Sequence, residues 1–264
     1  MEPNPDHGEG TYVGLGRLRG FRGVVTGADS GIGRAATIAL AREGASLVLS
    51  YLPVEQPDAE AVRDLLVSEG HSITLFPGDL ADEQYCTDLI DRAVEVLGGL
   101  DTLVMVAGHM ASNDDILKLE TAAIDRTLKT NVYSLFWLTK AAIPYMDPGS
   151  SIVTTGSTQG VYPSPNKLDY AVSKGAVGVF TAALAQHVAP KGIRVNSVAP
   201  GSVWSPMQPA SDDVETVSAF GGDTPYGRPG QPAELAAAYV HFVSPESSFT
   251  SGATITIAGA TPTV

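Results

Sequence analysis

The chain has 264 residues, 44% of them hydrophobic and 17% charged, a globular composition with ample material for one large α/β core. Its net charge of −13, from 29 acidic against 16 basic residues, repels phosphate backbones and anionic lipids, so nucleic acid and membrane are excluded as expected partners. The single cysteine, Cys86, permits no internal disulfide, has no cysteine or histidine at metal-ligand spacing, and reads as a structural helix residue.

Residues 1–20 are polar, rich in Gly and Pro, and without apolar periodicity. They are expected to form a flexible N-terminal extension, or else an arm laid on a neighbouring surface. They lack the basic start and apolar middle of a secretion signal, and no apolar run approaches the ~20 residues of a membrane span, so a cytoplasmic setting is expected. Residues 23–26 form a first apolar strand, followed by the turn Gly27-Ala28-Asp29-Ser30-Gly31-Ile32-Gly33 and a helix to residue 43 that Gly44 ends. Each glycine has a physical role. Gly27 turns the chain off the strand, Gly31 admits a ligand to the backbone, and Gly33 lets the helix pack closely. The helix opening directs free N–H groups at the turn and makes a seat for a pyrophosphate, although a lone glycine turn is equally an ordinary βα connection.

Further strands are expected at residues 46–50, 72–76, 102–106, 151–155, 192–198 and 253–257. Helices are expected at residues 58–69, from the cap Asp82 to residue 97, and at 121–145, 168–188 and 232–243. Strands alternate with helices, and the strands are continuously apolar. That pattern implies a doubly wound (Rossmann) α/β fold, a parallel sheet of about seven strands with helices on both faces and ligands at the strands' carboxyl ends. Residues 21–264 read as one domain, in which the Pro/Gly/Ser-rich stretch 200–231 is too long for a connector and reads as a lid.

Tyr170-x-x-x-Lys174 lies on a helical pattern, so both side chains share one face. An ammonium beside a phenol stabilises phenolate and draws the tyrosine down from ~10 towards the range where it trades a proton with an alcohol or carbonyl. Ser157 follows the fifth strand and could hold the substrate oxygen. Taken alone, such a pair is common on helices.

The pieces together resemble the short-chain dehydrogenase/reductase superfamily. They are Thr26-Gly27-x-x-x-Gly31-Ile32-Gly33, Gly78-Asp79-Leu80, Ala107-Gly108, Asn131, Ser157, Tyr170-x-x-x-Lys174 and Pro200-Gly201, over about residues 20–260. The form of the glycine turn, Tyr51-Leu52-Pro53 and the polar extension look like the glucose/ribitol-dehydrogenase-like branch, which includes general-stress oxidoreductases. The resemblance implies an NAD(P)-dependent enzyme interconverting a secondary alcohol and a ketone. Tyr170 would be the proton donor and acceptor, Lys174 would lower its pKa and bond the nicotinamide ribose, Ser157 would orient the carbonyl, and Asn131 would hold a water leading to solvent. Asp79 would bond the adenine amine and Leu80 line the ring. Ala107 and Gly108 would run beneath the cofactor, and Pro200, Gly201, Val203 and Ser205 would frame the nicotinamide. Relatives are usually homotetramers that pair through the two long helices and the last strand, and Ala176, Val177, Val179, Phe180 and Leu184 give residues 168–188 a suitable surface.

One departure is Met105-Val106 where the family has two asparagines; apolar packing is expected to replace their amide bonds. Between NAD and NADP, Tyr51 and Ser30 carry neither the acidic nor the basic signal, while Asp29 near the expected ribose disfavours a 2′-phosphate, so charge favours NAD. His109, Gln159, Tyr162 and Trp204 follow strand ends on the catalytic side and are substrate-pocket candidates. His109 reads equally as a solvated loop residue, and Trp204 as a lid or core aromatic. No histidines are spaced for a metal, and none is expected. The competing functions are an epimerase or dehydratase on the same fold, and a non-catalytic dinucleotide sensor.

Overall fold

The computed structural model describes residues 3–261. In chain order the elements are β1 (Arg22–Thr26), α1 (Gly31–Arg42), β2 (Ser46–Tyr51), α2 (Gln56–Ser68), β3 (Ile73–Pro77), α3 (Glu83–Leu97) and β4 (Thr102–Met105). There follow α4 (Thr121–Leu128), α5 (Ser134–Ala142), β5 (Ser151–Thr155), α6 (Leu168–Val188), β6 (Arg194–Pro200), α7 (Met207–Ser211), α8 (Val214–Ala219), α9 (Ala233–Val243) and β7 (Thr254–Ile257). The seven strands pair in parallel in the order β3-β2-β1-β4-β5-β6-β7. The strand order reverses between β1 and β4, which opens a crevice at their carboxyl ends.

Side chains alternate across each strand, so neighbouring residues feed opposite cores. Val25, Leu47 and Leu49 enter a core built with α1, α2 and α9, whereas Val24 and Val48 enter one built with α3, α5 and α6. Both cores are apolar, which is why the strands are apolar without a polar face. Asp82 caps α3 by accepting from Gln84 N at 2.8 Å. Cys86 is buried in the second core, as its place on α3 requires.

The helix expected over 121–145 is interrupted. Lys129–Tyr133 forms a π-helical turn between α4 and α5, and Asn131 sits at its centre. A wider turn of this kind breaks the regular ladder and re-aims a side chain, a change that apolar periodicity does not register. The stretch 200–231 is likewise not wholly irregular, since it holds α7 and α8. It is clasped to the body by Asp212, which accepts from Lys167 Nζ at 2.8 Å and from Ser112 Oγ at 2.5 Å.

The segment expected to be a flexible extension is, over residues 3–20, an arm seated on its own domain. Trp204 Nε1 donates to Pro3 O at 2.8 Å, and Ala233 N donates to Asp6 O at 3.0 Å. Arg42 donates to the carbonyls of Gly8, Glu9 and Tyr12, and Leu18 is fully buried in the first core. The fastening is polar, which is why hydrophobic periodicity gave no sign of it. At its centre Glu43, the C-cap of α1, has a fully buried side chain at the negative end of the helix dipole. Arg17 offsets both costs through Nη2 at 2.6 Å, and Tyr12 Oη donates at 2.7 Å. The backbone N–H groups of Leu15 and Arg17 add two further bonds, each at 3.0 Å.

Burial alone would raise the Glu43 carboxyl, but these hydrogen bonds outweigh it and hold the pKa at about 2. A depressed carboxyl contributes stability that is complete above its unfolded value near 4.5 and lost as pH falls through about 2, an amount on the order of 3 kcal/mol. Glu43→Gln is therefore expected to lose most of that stability at pH 7 and to expose the arm to proteolysis. Denaturation measured from pH 7 to 2 should show the gap to the parent protein closing as the acid limit is approached.

Candidate active site

β1 ends at Thr26, and its hydroxyl accepts from the N–H groups of Val106 and Ala107 at 3.1 and 3.2 Å. One side chain thus ties the ends of the two central strands. Met105 is buried in the second core and Val106 packs against the first, so apolar contacts and the Thr26 hydroxyl hold the strand ends together where the expected asparagines are absent. Gly27 turns off the strand with φ +63°. Gly33 serves this same turn: a Cβ there would lie 1.8 Å from the Gly27 carbonyl oxygen, so the constraint is closure of the loop on itself. Ser30, the N-cap of α1, makes no side-chain capping bond, which leaves the opening turn directed at the crevice.

The crevice encloses about 230 Å³. Gly27, Asp29, Ser30, Gly31, Ile32 and Gly33 line it at the glycine turn. Tyr51, Asp79, Leu80, Ala107 and Gly108 line it from the ends of β2, β3 and β4. Pro200, Gly201, Val203 and Ser205 close it from the β6 side, with Ser205 packed over Gly31. A long groove crossing the switch point, with a glycine turn and an uncapped helix start at its middle, suits an extended dinucleotide.

Tyr170, Lys174 and Ser157 meet in the same crevice. Tyr170 and Lys174 lie one turn apart on α6 and are 7% and 6% exposed. The ammonium sits 5.6 Å from the phenol ring centroid and donates to Thr155 O at 2.8 Å. Ser157 opens a short 3-10 turn at the end of β5, its hydroxyl accepting from Gln159 N at 3.1 Å. That turn lies flat on α6 only because residue 160 is glycine, where a Cβ would come within 2.8 Å of the Lys174 backbone. Asn131 lies just behind the crevice. Its Oδ1 accepts from His109 N at 2.7 Å, and its Nδ2 donates to His109 O and Ser173 Oγ, both at 2.9 Å. The amide thus pins the loop after β4 to α6.

The expected downward shift of the tyrosine is not present. Burial pushes the Tyr170 phenol up to about 12, with Ser157 opposing, and burial pushes the Lys174 ammonium down to about 8. Both groups lie in a poor solvent for charge, so each favours its neutral form. Asp29 is 3% exposed, and burial likewise raises its carboxyl, which weakens the charge that favoured NAD.

Of the four substrate-pocket candidates, only His109 lines the crevice. Burial and then Arg126 lower its pKa. Gln159 spends its side-chain amide on Ser164, accepting at 2.6 Å and donating at 2.9 Å. Trp204 is buried with its N–H committed to Pro3, and Tyr162 is exposed outside the crevice. Crevice residues that the sequence did not suggest include Arg126, Thr130 and Gln208. Arg126 and Thr130 are one turn apart and adjoin Asn131, a helical spacing that could have indicated them. Gln208 lies in the stretch that gave no helical signal.

The Enoyl-(Acyl carrier protein) reductase family model matches residues 27–260. The chain is 49% identical to the uncharacterized oxidoreductase YhxD of Bacillus subtilis (strain 168), covering 100% of this chain and 89% of that protein. It is 35% identical to the glucose and ribitol dehydrogenase of Daucus carota, covering 96% and 88%. A short chain dehydrogenase from Burkholderia cenocepacia J2315, solved in complex with NADP, superposes with a TM-score of 0.86 at 34% identity, over 92% of this chain and 98% of the other. A relative that holds NADP leaves the expectation of NAD without support.

Because burial lowers Lys174, its charged form costs folding energy that is fully present below about 8 and fades as pH rises towards the unfolded value of 10.5. Lys174→Met is therefore expected to raise stability at pH 7 by about 1–3 kcal/mol, less the lost bond to Thr155. Denaturant unfolding at pH 7 and 10.5 checks this: the gain should shrink at the higher pH.

Proposed function

The chain belongs to the short-chain dehydrogenase/reductase superfamily of NAD(P)-dependent oxidoreductases, in its glucose/ribitol-dehydrogenase-like branch, and on that premise we propose that it interconverts a secondary alcohol and a ketone. The observation that supports this reading is the meeting of Tyr170, Lys174 and Ser157 beside a groove long enough for a dinucleotide. The bound dinucleotide supplies or accepts the hydride. The glycine turn and the opening of α1 would seat its diphosphate, with Asp79 and Leu80 at the adenine end and Pro200, Gly201, Val203 and Ser205 at the nicotinamide end.

Ser157 offers its hydroxyl to the substrate oxygen and holds it against the phenol. Tyr170 gives its proton to that oxygen in reduction and takes it back in oxidation. Lys174, fixed by the Thr155 carbonyl, faces the developing phenolate and stabilises it as charge appears. Asn131 holds the loop of Gly108 and His109 in register with α6. Residues 200–231 close over the site as a lid.

Tyr170→Phe is expected to lower kcat by at least about 10²-fold while dinucleotide affinity, followed by nicotinamide fluorescence, changes little. A dinucleotide sensor would be indifferent to the change, and unaltered turnover would reject the role given to the phenol.

We further propose a homotetramer paired through the outer faces of α5 and α6. Phe136, Val172 and Val179 are 56%, 59% and 72% exposed there, an apolar surface that one sheet does not use. Val179→Lys should shift the sedimentation coefficient towards smaller species, and an unchanged tetramer would reject this pairing.

A further inference from the structure

The stretch 200–231 leaves and rejoins the body at one narrow root. Trp204 N donates to Gly230 O and Gly230 N donates to Ser202 O, each at 2.9 Å, which makes a parallel bridge between Val203 and Gly230. The residues on either side of Trp204 both line the crevice, Val203 before it and Ser205 after it, over Gly31. Pro206, Met207 and Gln208 continue that wall. Any shift of the root therefore moves the nicotinamide end of the crevice. One bridge is a weak hinge, because each backbone bond contributes little net stability once water competes for it.

The N-terminal arm crosses both sides of this root. On the outgoing side Trp204 Nε1 donates to Pro3 O at 2.8 Å. On the returning side Asp6 N donates to Gln231 Oε1 at 2.9 Å, and Ala233 N donates to Asp6 O at 3.0 Å. The next residues of the arm are fixed to α1 instead. Arg34 pairs with Glu9 at 3.1 Å, and Arg42 donates to the carbonyls of Gly8 and Glu9 at 3.0 and 2.7 Å. The opening turn of α1 borders the crevice, so the arm joins the root of the lid to the helix on which the glycine turn is built. Trp204 is 9% exposed, and its ring N–H is committed to a carbonyl 201 residues earlier. A phenylalanine would bury a similar apolar surface, but only the indole N–H binds the arm.

We propose that the N-terminal arm is a strap that holds the root of the lid closed over the nicotinamide half of the dinucleotide, with Trp204 as the positioning residue through which it acts. This rests on the dinucleotide reading above and adds to it a segment outside the motifs that support that reading. The coupling is reciprocal: the factor by which the docked arm tightens the dinucleotide is the factor by which the dinucleotide tightens the arm. The adenine end of the crevice, at Tyr51, Asp79 and Leu80, is built by the ends of β2 and β3 and lies outside this coupling.

The test uses two full-length variants. Trp204→Phe removes the N–H and keeps an aromatic ring. Arg42→Met loosens the arm on α1, and Arg42 bonds the arm and Glu69 but lines no part of the crevice. Both variants should weaken reduced dinucleotide, read by nicotinamide fluorescence, about fivefold or more, the order of one hydrogen bond. Inhibition by adenosine monophosphate, which lacks the nicotinamide half, should stay within about twofold of the parent. In Arg42→Met, kcat at saturating dinucleotide should also stay within about twofold. Hydrogen exchange gives a readout that needs no ligand. The amides of Trp204 and Gly230 should exchange about tenfold faster in Arg42→Met, with those of β5 unchanged. In the parent protein, saturating reduced dinucleotide should slow exchange at the Ala233 amide, and adenosine monophosphate should not. Unchanged exchange at the root in Arg42→Met, or equal weakening of dinucleotide and adenosine monophosphate, would overturn the proposal and leave hydride transfer intact. A parent protein that binds no dinucleotide would remove the functional reading, and with it the role given to the strap, whatever the exchange rates.

Discussion

An ammonium group held out of water fixes the geometry of this molecule. Lys174 is 6% exposed, and its anchor is the carbonyl of Thr155, the last residue of β5. The bond requires that α6 lie at one height on the sheet, because sliding by a turn would strand a cation in an apolar medium. The height of α6 then sets Tyr170, the close approach of Gly160 sets Ser157 against both, and Asn131 ties the loop after β4 to Ser173 on the same helix. Four chain segments distant in sequence share one reference point, the carboxyl end of β5.

The glycine turn answers a different demand. Its conformation depends on the absence of side chains, since Gly27 occupies positive φ and Gly33 lies against the Gly27 carbonyl. Thr26 then ties β1 to β4 through a side chain. The two centres therefore rely on opposite devices, a backbone kept bare on one side of the crevice and buried polar side chains on the other. Both are borne by the same parallel sheet, whose order places β4 between β1 and β5.

Much of this was legible in the residues. Continuous apolar strands alternating with helices specify a covered parallel sheet, and the spacing Tyr170-x-x-x-Lys174 specifies a shared helical face, because both depend on local period alone. The boundaries of β5 and α6 were read to the residue for that reason. The π-helical turn at Asn131 was not legible, since a one-residue insertion in the ladder leaves the apolar pattern intact. Nor was the arm, which is held by Glu43, Arg17 and Arg42, charged residues that in a sequence look like solvated surface. Spacing reports a neighbouring charge but not the depth at which Tyr170 and Lys174 lie, and that depth pushes the phenol up. Gln159 and Trp204 stand at strand ends as expected, but their polar atoms are committed to Ser164 and Pro3.

The bonds of the arm also fix an order of events during biosynthesis. Pro3 and Asp6 leave the ribosome long before their partners Trp204 and Ala233, which lie more than two hundred residues later. No nascent chain shorter than that can seat Pro3 and Asp6, even though the centre of the arm meets Arg42 and Glu43 early. The outer end of the arm is therefore among the last parts to settle, and a stalled or truncated product would leave Pro3 and Asp6 undocked and protease-accessible while its glycine turn was already formed.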